Sequence, residues 1–203
     1  MKKYAVLHEP GDIVTLAGTR FVVLDVERRG SLPDSLFLLA LESVGASEFG
    51  SSNNYAESDL KKAVDKWLED MGKRGLDNAK LIPREIDLTT LDGSGCYGKL
   101  SVKAAPLTLD EAREYADIIP NAERWCWLAT GWSGPSKSDG DLALYVGSNG
   151  VWGHYNCSLS CGIRPALKIP SDLLLDSADK PDLSEVPTDT LLEEIRRRVV
   201  DKA

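Results

Sequence analysis

Between residues 12 and 42 the apolar positions come in short runs broken by polar turns. Ile13-Val14-Thr15-Leu16 is followed, after a turn at Ala17-Gly18-Thr19, by Arg20-Phe21-Val22-Val23-Leu24-Asp25-Val26. A polar loop over 28–34 then leads to Leu36-Phe37-Leu38-Leu39-Ala40-Leu41. Such β-branched and aromatic runs with short connections predict an antiparallel meander. From Ser58 the period changes. Leu60, Ala63, Val64, Trp67, Leu68 and Met71 recur at spacings of three and four, with Lys61, Lys62, Asp65, Lys66, Glu69 and Asp70 mainly elsewhere, which predicts a helix with one apolar face. Gly72 or Gly75 is its natural stop. Residues 76–106 read as loop with short extended pieces, including a strand over 83–88 and a turn over 91–95. Thr108-x-x-Glu111 has the form of a capping box, and the helix it opens carries Ala112, Tyr115, Ala116 and Ile119 before Pro120 ends it.

The stretch from 125 to 169 has a different texture. It holds four of the five tryptophans and three of the four cysteines. Brief apolar anchors (Trp125, Trp127, Leu128; Leu142, Leu144, Val146; Ile163, Ala166, Leu167) alternate with runs of Gly, Ser, Asn, Asp, Tyr, Trp and His. The anchors read as short strands. Ser148-Asn149-Gly150 reads as a hairpin, because Asn-Gly supplies the positive φ angles of a tight primed turn. Trp125 and Trp127, two apart, share a strand face that is expected to point to the core. Trp132 and Trp152 sit among polar turn residues and are the expected exposed anchors. A frame of small strands carrying aromatic and adaptable polar loops has the composition of a paratope. After 169 comes a polar, proline-containing segment over 176–187. A last helix capped by Thr188 follows, with a stripe of Leu191, Leu192, Ile195 and Val199 beside Arg196-Arg197-Arg198. The organisation read from this is one domain over 1–170, then a linker and C-terminal helix over 171–203. That helix could pair two copies of the chain.

Composition narrows the classes. At 203 residues, with 42% apolar and 28% charged positions, the chain has room for one sizeable core. A formal charge of −8 argues against nucleic acid as a general partner. No run reaches bilayer-spanning length, so no membrane partner is expected, and the first residues lack the apolar stretch of a signal peptide. Four irregularly spaced cysteines read as thiols rather than a disulfide framework. The fold class expected is α+β, small antiparallel sheets with two flanking helices and a C-terminal helix.

The order of signals also carries a resemblance. Trp125-Cys126-Trp127-Leu128, Ala143-Leu144-Tyr145-Val146, Gly150 and Gly162-Ile163-Arg164-Pro165-Ala166-Leu167 resemble a widespread family of bacterial and phage domains of unknown function. These are similar to the C-type lectin-like folds of formylglycine-generating enzymes and phage tail adhesins. The resemblance spans roughly residues 11–169 and implies a C-type lectin-like fold. Some such proteins are variable proteins of diversity-generating retroelements, which randomise adenines in codons of the segment before the closing Gly-x-Arg-Pro-Ala-Leu. Every residue from Gly153 to Cys161 is reachable from an Asn codon by changing its adenines, whereas Trp132, Lys137 and Trp152 require other template codons. The implied context is display on a virion or cell-surface assembly.

Enzymatic and metal chemistry compete with that reading. His154, Cys157 and Cys161 hold three soft ligands within eight residues, but without the paired spacing of a zinc site. Formylglycine-generating enzymes use paired cysteines near the end of this sort of fold, so Cys157 and Cys161 with His154 define the competing expectation, a thiol-dependent enzyme. Asp139, Asp141, Asn149 and Asn156 could offer oxygens to calcium, and turn formation explains them equally well. No Gly-x-Ser-x-Gly or phosphate loop is present. The sequence therefore leads to a non-enzymatic domain with no cofactor or metal, binding a protein or glycan on a cell surface. Its loops at 132–141 and 147–161 would form one ligand-binding face, with Trp132, Ser133, Lys137, Asp139, Tyr145, Ser148, Trp152, His154, Tyr155, Asn156 and Ser158 turned to solvent.

Overall fold

A computed structural model of the chain describes residues 2–4, 8–29, 32–135 and 139–177, with side chains over 8–28, 34–135 and 139–173. Strand β1 (Lys2–Tyr4) is followed by the expected meander of β2 (Ile13–Leu16), β3 (Thr19–Arg29) and β4 (Leu32–Ala40). Consecutive strands of the meander pair antiparallel. The β2–β3 turn is only two residues, Ala17 (φ 47°) and Gly18 (φ 77°), and so takes the primed form. The loop expected over 28–34 is shorter than the polar run suggests: Arg28 pairs with Pro33 and Arg29 with Leu32 in the ladder.

β3 and β4 are apolar on both faces because both faces are covered. Phe21, Val23, Leu36 and Leu38 enter one core cluster, while Val22, Leu24, Phe37 and Leu39 enter another on the opposite side. Helix α1 (Asp59–Lys73) joins the first cluster through Leu60, Val64 and Met71. Its N-cap is Ser58, whose hydroxyl accepts from the Lys61 amide at 2.9 Å. Helix α2 (Leu109–Glu114) joins the second through Leu109 and Ala112, and the Thr108/Glu111 capping box is formed. This helix is shorter than its apolar periodicity: past Glu114 the chain continues as turns, and Ala116 is exposed. Glu111 has a second partner besides its cap, the buried guanidinium of Arg84, which also donates to the carbonyls of Ala105 and Pro106. Arg84 opens β6 (Arg84–Asp87), which pairs with β7 (Lys99–Val102) in a two-stranded sheet. With β8 (Ala104–Ala105), the expected loop over 76–106 therefore holds three strands.

The remaining strands are β5 (Ala46–Glu48), β9 (Cys126–Gly131), β10 (Leu142–Val146), β11 (Trp152–Asn156), β12 (Ser160–Gly162), β13 (Ala166–Pro170) and β14 (Leu174–Ser177). One sheet has seven strands in the order β1-β14-β2-β3-β4-β13-β8; another has five, β11-β10-β9-β12-β5. All named pairings are antiparallel except β12 with β9. The architecture is α+β, with mostly small antiparallel sheets and, among the described residues, two α-helices. β14 pairs with β1 and β2, so the seven-stranded sheet runs to Ser177, past the boundary expected at 170. The expected C-terminal helix, with Leu191, Leu192, Ile195 and Val199, lies outside the described residues. Among the described residues no helix is long and apolar enough to cross a membrane.

Candidate ligand-binding face

β9 is buried at every position, because it runs between the two clusters. Trp127 and Ala129 face the first, Leu128 the second; on β10, Ala143 and Leu144 divide in the same way. Tyr145 is directly opposite Trp127 and so shares its face. β11 is the edge strand beyond β10, and most of its positions are exposed. The five-stranded sheet is therefore core at its centre and surface at this edge.

Trp125 does not join Trp127 in the core, contrary to the expectation from their spacing. The two indoles stay on one side, but β9 begins at Cys126 and the core ends with Trp127: Trp127 is 1% exposed and Trp125 is 45% exposed. Trp125 instead stacks on Tyr145, with ring centroids 4.8 Å apart and planes within 8°. Tyr155 stands edge-on to both, at 5.7 Å from Trp125 and 6.1 Å from Tyr145. Tyr145 can lie flat only because its cross-strand partner is Gly153; a Cβ there would come within 2.7 Å of the phenol ring. Beside this trio runs an open cleft of about 460 Å³ lined by Arg124, Glu123, Ser148, Ser160, Trp125 and Tyr155. It offers charge of both signs and hydroxyls next to aromatic faces.

The other face of the edge carries a second aromatic group. Trp132 packs on the His154 ring with centroids 4.0 Å apart, and the Arg113 guanidinium lies 5.6 Å from the centre of the Trp152 ring. Trp152 is exposed as expected, while Trp132 is half-buried against the second core cluster.

The loops are fixed by hydrogen bonds that use several of the expected ligand-facing residues. Between β10 and β11 the turn is not the two-residue primed form expected of Asn149-Gly150. Gly150 N–H donates to the Gly147 carbonyl at 3.0 Å, Gly147 N–H to the Val151 carbonyl at 2.8 Å, and only Gly150 has positive φ (78°). This is a longer loop with a single left-handed residue, which leaves the Ser148 side chain exposed. Asn149 accepts from the Val151 amide. Asn156 donates to Asp141 at 2.7 Å and accepts from the Ser158 amide and hydroxyl. These oxygens hold turns, which is the alternative to calcium ligation that composition left open. Asp139 is exposed.

Ser133, expected at the ligand-facing surface, is buried instead. Ser133 is 2% exposed, because the loop after β9 folds back on Asn53, whose amide donates to the Ser133 carbonyl at 2.9 Å and the Leu142 carbonyl at 3.0 Å. Asn53 in turn accepts from the Tyr97 hydroxyl at 2.6 Å. It pins both ends of the 131–142 loop, a role that nothing in the run Ser51-Ser52-Asn53-Asn54 signals. Lys137 lies outside the described residues.

Cys126 and Cys161 lie near one another across the β9–β12 pairing, but without a histidine or carboxylate beside them. Among the described residues no three His, Cys, Asp or Glu side chains come together as metal ligands. Cys157 and Cys161 are buried in the first cluster, whereas His154 lies against Trp132 at the border of the second. Burial pushes the Cys157 thiol up to about 12, helped by the Asp141 charge, and the Cys161 thiol up to about 11. Cys126 is also buried and its thiol raised, while Cys96 is exposed.

Comparison of the chain with protein-family models, with curated proteins and with solved structures returned no match.

Proposed function

We propose that this chain is a non-enzymatic recognition domain of C-type lectin-like type, presenting the β10–β11 edge of its five-stranded sheet to a protein or glycan on a cell surface. The observation that carries the reading is an aromatic trio beside a polar cleft, in which exposed Trp125 and Tyr155 stand on Tyr145, which is half-buried against the first core cluster rather than turned to solvent as expected. Trp125 closes no core, and large, rigid, amphipathic rings flanked by serines and charges are the usual material of a binding hot spot. The contact set is then Trp125, Tyr145, Ser148, Trp152, His154, Tyr155, Asn156 and Ser158, with Trp132 at its border and Asp139 at the loop base.

The proposal includes hypervariability of the retroelement type, displayed from a virion or surface assembly, and burial restricts where it could act. Of the stretch from 153 to 161, Gly153 lies under Tyr145 and both Cys157 and Cys161 are core. Free variation fits only positions 154, 155, 158, 159 and 160, because Asn156 bonds Asp141 and holds the turn into Ser158. A reverse transcriptase gene beside a near-copy of the codons for 130–167, differing at adenines, is the genetic signature to look for; its absence removes this part of the proposal.

The competing thiol-enzyme reading has less support. A cysteine nucleophile works as thiolate, and burial here disfavours that form at both Cys157 and Cys161, with the one nearby histidine turned to another ring. The binding proposal is tested by screening the protein against immobilised glycans and a peptide display library. Ligands selected this way lose binding to Trp125→Ala and Tyr155→Ala but not to Lys73→Ala, an exposed position at the end of α1, which packs at the opposite, β5 edge of the sheet. Binding that survives both aromatic substitutions refutes it.

A further inference from the structure

The cleft beside the aromatic trio carries one free charge of each sign. Glu123 and Arg124 both line it, both are exposed, and among the described residues neither has an ion-pair partner. Arg124 is held there by its stem: its Cδ lies 2.9 Å from where a Cβ on Gly162 would stand, and Gly162 lines the same cleft. The rings leave one surface open. Centroid separations of 4.8, 5.7 and 6.1 Å make a nearly equilateral triangle, so Tyr155 stands beside the Trp125–Tyr145 stack rather than on top of it. The indole face of Trp125 turned away from Tyr145 is therefore not covered by Tyr155, and 45% of the residue is exposed. No described cation of the chain occupies that face: the cation–ring contacts lie on Phe37 and Trp152. Exposed Ser148 and Ser160 add hydroxyls to the lining, and no branched aliphatic side chain takes part in it.

Taking the trio as the recognition site, as proposed above, we infer that this cleft binds a zwitterion of the phosphocholine type, its quaternary ammonium on the open face of Trp125 and its phosphate on Arg124. An indole face attracts a cation electrostatically, and a trimethylammonium has no N–H to satisfy, so it asks for ring surface and a nearby carboxylate rather than hydrogen-bond acceptors. Trp125 and Glu123 supply those two. A guanidinium matches a phosphate edge in sign and geometry, and the hydroxyls of Ser148 and Ser160 offer donors for its remaining oxygens. The chain's formal charge of −8 works against a ligand that is anionic overall, whereas a phosphodiester of choline carries no net charge. The cleft's volume of about 460 Å³ lies within the roughly 300–1,000 Å³ of small-molecule sites, enough for one such group.

The test titrates the whole protein with glycerophosphocholine, a zwitterionic phosphodiester, and follows the indole ¹H–¹⁵N shifts. A saturable shift at Trp125 is expected. Two comparators probe the cation: glycerophosphoethanolamine, with a primary ammonium, and the 3,3-dimethylbutyl phosphodiester, in which carbon replaces the charged nitrogen. Each is expected to bind about tenfold or more weakly. Arg124→Gln, at an exposed position, is expected to bind glycerophosphocholine about tenfold or more weakly with Tm unchanged, and Lys73→Ala to bind it as the parent does. Two further arms separate the sources of the group. Retention on phosphatidylcholine vesicles assigns it to a lipid surface, and binding to phosphocholine-substituted dextran without such retention assigns it to a decorated glycan. No saturation at millimolar glycerophosphocholine, equal affinity for either comparator, or undiminished binding by Arg124→Gln overturns the inference. Other glycan or peptide ligands that depend on Trp125 and Tyr155, found together with that failure, leave the recognition reading standing and overturn this assignment alone.

Discussion

Trp125, just before β9, and Trp127, within it, turn to the same side and differ in where the core stops, so a pair of alanine substitutions measures that boundary. Trp127 is 1% exposed, packs edge-on to Phe49 at 5.5 Å and donates its indole N–H to the Ser47 carbonyl at 2.9 Å. Its removal empties a large volume among atoms that cannot all collapse, which costs about 3–5 kcal/mol. The lost Ser47 bond adds up to about 1 kcal/mol. Trp125 contributes a stacked contact on Tyr145 and an edge contact with Tyr155, while almost half of its surface already meets water. An aromatic pair of this kind is worth about 0.5–1.5 kcal/mol, so Trp125→Ala is expected to cost about 1 kcal/mol. For a chain of this size about 1 kcal/mol moves Tm by roughly 2–4 °C. Trp127→Ala should therefore melt more than ~6 °C below the parent, and Trp125→Ala within about 1–6 °C. Urea unfolding is the assay, with the slope m checked for constancy so that the shift in midpoint reads as stability. If Trp125→Ala costs as much as Trp127→Ala, the trio is part of the core and no binding face lies there.

Other expectations follow from the same geometry. Ala17 is held at φ 47° in the β2–β3 turn, a conformation unfavourable for a residue with a Cβ that asparagine tolerates better. Ala17→Asn should raise stability by about 0.5–1 kcal/mol in the same urea assay; an unchanged or lower midpoint contradicts the strain. The thiols should react in two classes, one equivalent (Cys96) with Ellman's reagent in the folded protein and four in guanidinium. Cys157 also sets a pH dependence. Its folded pKa is raised from 9.0 to about 12, so the stability held by its neutral form is complete below pH 9 and is lost between 9 and 12, as the unfolded chain ionises first. Cys157→Ala should flatten that alkaline decline, and an equally steep decline in the variant assigns the loss to other groups.

The sequence by itself determined what local chemistry determines. The 3.6-residue period from Ser58 and its hydroxyl cap specify α1, the Thr108/Glu111 pair specifies the start of α2, and the apolar runs after Thr19 specify the meander, because each signal acts between residues a few positions apart. The aromatic face was half legible: spacing of two put Trp125 and Trp127 on one side, and turn chemistry brought β10 back along β11. Tertiary structure decided the rest. Whether a strand face is core depends on what covers it, and the cover over Trp127 comes from Phe49 and Tyr55, more than seventy positions away, and stops short of Trp125. The burial of Ser133 depends on the amide of Asn53, eighty residues earlier, and the two-sided burial of β3 and β4 on helices that come after them. The short strands β7, β8 and β14 likewise exist only because a partner strand offers hydrogen bonds. A residue's period and its turn chemistry are written in its neighbours along the chain, whereas its exposure is written in neighbours that only folding brings close.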